Sequence, residues 1–212
     1  MGGKHILWLR GDRDSIRLYR KVYGVLRAQG YTLEVPGIGS RLEGDLAVFT
    51  ARASPEHKYY ASRLPPGTPS IFEKNPVAAL ARVIAYPDPE LGVLRIGVDP
   101  GRRCGVTFVG DGVLFYWEKV ECDSLPDIAA LARRIPAGSV EVLLGDGEGL
   151  GEAIRGFEGL GFNVGIVEEH HTTSTPVSWS IARMLGDKDL AASLSIALRG
   201  GFGGSSRPVW LY

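Results

Sequence analysis

Leu94-Arg95-Ile96-Gly97-Val98-Asp99-Pro100-Gly101-Arg102-Arg103-Cys104-Gly105-Val106-Thr107-Phe108-Val109 decides how the rest of the chain is read. An apolar run carries one carboxylate, Asp99, at its far end. Pro100 and Gly101 break the strand, and a second β-rich run begins at Gly105. A charge inside core-like sequence must be paired, hydrogen-bonded or bound to metal, or it costs several kcal/mol. The rest of the chain must therefore supply partners for Asp99.

Working forward, Asp111-Gly112 predicts a two-residue hairpin between strands 105–109 and 113–120. Ser124 and Pro136 bracket a helix over 125–135, and Val140–Leu144 reads as a strand. A Gly-rich loop leads to a helix near 152–160, and Asn163–Val167 is a further strand. Helices over 177–185 and 187–199 follow, the second capped by Asp187 and ended by Gly200-Gly201.

Working backward, Tyr86-Pro87-Asp88-Pro89-Glu90 reads as a linker. Ahead of it, strands at 4–9, 32–35, 45–50 and 70–72 alternate with helices at 14–29, 55–63 and 76–85. That alternation predicts a small, mainly parallel α/β domain. The expected organisation is residues 1–90, residues 91–200 and a Gly/Ser-rich flexible tail over 201–212.

The net charge is zero but uneven, at +4 over residues 1–90 and −4 over 91–212. A basic module that gathers a polyanion beside an acidic module that acts on it fits this asymmetry. Arg13, Arg17, Arg20 and Arg27 fall on one side of the first helix and suggest a phosphate-gripping ridge. A plain solvated helix face explains them as well. No apolar run reaches the roughly 18 residues of a membrane span, and no signal-peptide pattern opens the chain, so the expectation is a cytoplasmic protein without a membrane partner. Cys104 and Cys122 are too few for a disulfide framework. In the predicted hairpin Cys104 faces a residue near Lys119, which leaves Cys122 out of register, so no bridge is expected. Nor is their spacing that of a zinc site.

Three antiparallel strands followed by helix, strand, helix, strand and helices is the order of the ribonuclease-H-like fold. Ile96-Gly97-Val98-Asp99-Pro100-Gly101 with Gly105-Val106 resembles the first-strand motif of RuvC-type Holliday-junction resolvases and their YqgF relatives. Val167-Glu168-Glu169-His170-His171-Thr172-Thr173 is similar to the Asp-Glu-Arg-Leu-Thr-Thr motif of the YqgF group. Asp189-Leu190-Ala191-Ala192-Ser193-Leu194-Ser195-Ile196-Ala197-Leu198 resembles the acid-bearing final helix of both. The likeness covers about residues 93–200.

The resemblance implies a nuclease that uses Mg²⁺ or Mn²⁺, held by Asp99, Asp146, Glu169 and Asp189. Its substrate would be a DNA junction or a structured RNA, and a two-fold junction favours a homodimer. Departures are also present. Asp146 stands where resolvases carry glutamate, and Ala192 where they carry a second acid one turn after Asp189. A nucleic-acid-binding or interaction protein on the same fold, without turnover, is the alternative.

Overall fold

The computed structural model describes residues 4–9, 13–50, 55–167 and 178–199. The chain divides into two compact units, Met1–Pro89 and Glu90–Tyr212, within the segment expected to be a linker. The tail over 201–212 lies outside the described residues.

The first unit contains β1 (Lys4–Leu9), α1 (Arg13–Ala28), β2 (Tyr31–Glu34), β3 (Leu46–Phe49), α2 (Pro55–Ala61), β4 (Ser70–Phe72) and α3 (Pro76–Ala85). All its strand pairings are parallel, in the order β2-β1-β3-β4. A parallel sheet is covered on both faces, so its strands are continuously apolar rather than alternating. Ile6 to Leu9 and Leu46 to Phe49 are all buried accordingly. Asn75 caps α3 through its side-chain oxygen, which accepts from the amides of Val77 and Ala78. On α1 the buried stripe is Ser15, Leu18, Val22, Val25 and Leu26. The helical spacing of the sequence predicts a stripe of Ile16, Tyr19, Val22, Tyr23 and Leu26, and the buried stripe is rotated from it. Tyr19 and Tyr23 sit at its margin, where the Tyr19 hydroxyl reaches the Leu33 carbonyl at 3.4 Å.

The second unit holds β5 (Leu91–Asp99), β6 (Cys104–Gly110), β7 (Val113–Val120), α4 (Leu125–Ala132), β8 (Ala137–Gly145), α5 (Leu150–Glu158), β9 (Val164–Val167), α6 (Ser178–Leu185) and α7 (Lys188–Arg199). Its sheet is mixed, in the order β7-β6-β5-β8-β9. β6 runs antiparallel to β5 and β7, whereas β8 and β9 run parallel to β5. The hairpin at Asp111-Gly112 has φ of 48° and 86°, the left-handed pair such a turn needs. Asp111 also accepts from the amides of Gly92 and Val93 at 3.1 and 2.9 Å. Those bonds, and the burial of Leu91, start β5 three residues before the expected Leu94.

Two expectations are corrected. Cys104 and Cys122 form a disulfide, with Cα atoms 5.3 Å apart. Cys104 pairs with Val120, close to the expected register. After Val120, however, the chain coils into a 3₁₀ turn at Cys122–Ser124, which returns Cys122 to Cys104. Closing a loop of this length is worth about 3 kcal/mol. Ser124, expected as a side-chain cap, is the last residue of that turn and makes no capping bond to α4.

What fixes the second unit is the seat of α7. A Cβ at Gly97 of β5 would stand 2.0 Å from the Ser193 carbonyl oxygen and 2.7 Å from the Ala197 nitrogen. A Cβ at Gly105 of β6 would stand 2.5 Å from the Asp189 carbonyl oxygen. The helix therefore rests backbone on backbone against the sheet.

Gly97→Ala is expected to lower the stability of the second unit by about 1–3 kcal/mol or more, because backbone must move. Gly24→Ala, on the exposed side of α1 with nothing within 4 Å of the new Cβ, should raise that of the first by about 0.5–1 kcal/mol. Urea unfolding of the two variants checks both signs.

Candidate active site

Side chains alternate across a strand, so Asp99, two residues after Gly97, leaves the sheet on the face that carries α7. Asp99 pairs with Gly105, and Gly105 pairs in turn with Lys119 of β7. Asp99, Gly105 and Lys119 thus form one row across three strands on one face. The first turn of α7 lies on the middle of that row, because only a glycine there admits the Asp189 carbonyl.

Lys119 ties the row to the helix. Its ammonium pairs with Asp189 and, at 3.2 Å, with Asp187. The two aspartates divide their labour. Asp187 is the cap expected from the sequence, its Oδ1 accepting from the amides of Asp189 at 2.9 Å and Leu190 at 3.3 Å. Asp189 follows in the first turn, where a carboxylate is favoured by the helix dipole. The hydrogen bonds to Asp189 and Asp187 raise the Lys119 ammonium above its ordinary value, outweighing burial. For Asp187 burial pushes upward, but the Lys119 bond and the two capping amides prevail and hold the carboxyl below its ordinary value.

The other predicted residues distribute as follows. Asp146 is exposed in the turn after β8, on the opposite side of Asp99 from Asp189. That turn packs against the one after β5. Gly149, at φ 90°, sets its Cα so that a Cβ would lie 3.5 Å from the Gly101 carbonyl oxygen. Glu169 lies outside the described residues, as do Glu168, His170 and His171. The last described residue of β9, Val167, pairs with Gly145. Arg13, Arg17, Arg20 and Arg27 are all exposed on α1, within about 80° of arc at 3.6 residues per turn.

Sequence reasoning missed Lys119: the Asp111-Gly112 turn alone sets Lys119 opposite Cys104, and a β-bulge between Phe108 and Val109 moves it one place, opposite Gly105 and onto the other face. It also missed the disulfide, which holds the start of β6 against the turn after β7.

Among the described residues, no three of His, Cys, Asp and Glu gather as metal ligands. The donors at this edge are nonetheless hard oxygens. Mg²⁺ is commonly held by one or two carboxylates, with waters and substrate phosphate completing its shell. Asp99 and Asp189 fit that requirement in kind, and the Lys119 ammonium shows that a cation is already accommodated on Asp189.

The Lys119–Asp187 link has a defined pH window. The folded Asp187 value lies below the ordinary 3.8, so its contribution is complete above pH 3.8 and is lost as pH falls through the folded value. Lys119 lies above its ordinary 10.5, so its contribution is complete below pH 10.5 and is lost as pH rises through the folded value. Asp187→Ala, which also removes the cap, should cost about 1 kcal/mol at neutral pH. The gap from wild type should narrow below pH 3.8, as urea titrations across pH would show.

No protein-family model matches the chain, and no curated protein sequence matches it.

Proposed function

We propose that the second unit is a ribonuclease-H-like domain of the RuvC/YqgF type, and that the protein is a divalent-cation-dependent nuclease acting on branched or structured nucleic acid. One observation carries the reading. A central-strand acid, Asp99, and a final-helix acid, Asp189, come to the same end and face of a β7-β6-β5-β8-β9 sheet in which β6 alone is reversed. That strand order is the one the ribonuclease-H-like resemblance calls for, and the acids sit on the elements where such a nuclease needs them.

Asp99 and Asp189 would hold the Mg²⁺ or Mn²⁺, with Asp146 or Glu169 completing the set. A bound divalent cation supplies electrostatic stabilisation of the phosphate oxygens in an in-line displacement. The chain's own residues do the rest. Arg13, Arg17, Arg20 and Arg27 grip phosphates, and their contribution should fall steeply with salt. Lys119 offsets the negative charge of the α7 terminus. A two-fold DNA junction would be met by a homodimer, and a structured RNA by the single chain.

Binding without turnover is the second reading. It is favoured by Ala192, which leaves α7 without a carboxylate one turn after Asp189.

With Mn²⁺, the purified chain should cut at least one of a four-way junction, a duplex, an RNA–DNA hybrid and a structured RNA. Asp99→Asn and Asp189→Asn should each slow cleavage by about 100-fold or more, a loss of about 2.7 kcal/mol of transition-state stabilisation. Failure to cut any of the four, with binding retained, would favour the second reading. Full activity in Asp99→Asn would remove the residue assignment.

A further inference from the structure

We infer that Lys119 is a tethered counter-cation that competes with the divalent ion for Asp189, moving between a shared position on both aspartates and one on Asp187 alone. This rests on the metal-site reading above and adds to it a residue that sets the affinity of the site.

The competition follows from the geometry. Lys119 stands beside Gly105 on the face where the first turn of α7 lies, and its ammonium bridges Asp187 and Asp189. The three side chains retain 29%, 33% and 24% exposure, so an ion from solvent can reach them. The two carboxylates are not equivalent. Asp187 is fixed by the amides of Asp189 and Leu190 and cannot leave without uncapping α7. Asp189 is the one available to turn to a metal. A divalent ion on Asp189 repels the ammonium at short range, and Asp187 is the anion that retains it. Arg103 Nη2 donates to the Lys119 carbonyl at 3.0 Å and holds that backbone in place, so the exchange is one of the side chain.

In the metal-free protein this arrangement keeps adjacent carboxylates from repelling one another. In the loaded protein it leaves a cation on Asp187, beside the site, where a substrate phosphate gains from it. Removing the ammonium should therefore tighten binding of the free metal ion. Removing Asp187's charge should weaken it, because Lys119 would then have Asp189 alone.

Calorimetric titration of the full chain with Mn²⁺ tests this directly. Lys119→Met should bind Mn²⁺ about tenfold more tightly than wild type, Lys119→Arg about as wild type, and Asp187→Asn severalfold more weakly. Asp99→Asn should lose binding and so identifies the site. Wild-type binding that depends on Asp99 but is equal in Lys119→Met overturns the inference and leaves the metal site standing. Absence of Mn²⁺ binding in both wild type and Lys119→Met overturns the metal site and the inference together. A measurement on the unmutated chain does not depend on the folding of any variant. With ¹⁵N-labelled lysine, the Lys119 ammonium resonance should shift on addition of Mg²⁺, and an unmoved resonance at saturating Mg²⁺ overturns the inference.

Discussion

The second unit depends on one close approach, the backbone of α7 lying on the backbones of β5 and β6. No side chain can intervene at Gly97 or Gly105, since a Cβ there would stand 2.0 Å from the Ser193 carbonyl oxygen and 2.5 Å from that of Asp189. The contact fixes both the tilt and the register of the helix. It also decides chemistry, because the same first turn that seats over Gly105 carries Asp187 and Asp189. The two strands flanking Gly105 contribute Asp99 and Lys119 to that face. A packing constraint is thereby converted into a charged site at the sheet end.

The surrounding bonds serve that end of the sheet. The Cys104–Cys122 disulfide closes the loop that follows β7 onto the start of β6. Arg103 holds the Lys119 carbonyl and pairs with Glu121 at 3.0 Å, bracing the turn after Asp99 against the end of β7. Gly149, at φ 90°, turns the chain after β8 so that it lies against Gly101, and the Asp146 loop borders the Asp99 turn. Each contact ties a loop at this end of the sheet to a strand end or to a neighbouring loop, and each restrains the position of a candidate site residue.

Much of this was legible because it is local. Asp111-Gly112 announced a hairpin but not the bulge between Phe108 and Val109 that shifts its register, Asn75-Pro76 announced α3, and Asp187 announced the cap of α7. Asp99 marked itself by being charged in an apolar strand. What escaped depended on contacts distant in sequence or on irregular backbone. Nothing near Cys122 signals the 3₁₀ turn that brings its sulfur to Cys104. Lys119 reads as an ordinary lysine near the end of a strand until α7 is set above it, 68 residues later in the chain. Leu91 was not expected in β5 because its strand partner, Ala137, lies ahead of the apolar run that marks β8. Glycine reading was likewise incomplete. Gly97 and Gly105 looked like motif residues, and their physical reason is the helix that rests on them.

The central claim is that Asp99 and Asp189 share one divalent cation. Anomalous diffraction from crystals grown with Mn²⁺ tests it most directly. The account predicts a peak coordinated by both carboxylates, with the Lys119 ammonium withdrawn to Asp187. A chain that keeps Lys119 on Asp189 at saturating Mn²⁺, with any bound ion held elsewhere, would contradict it.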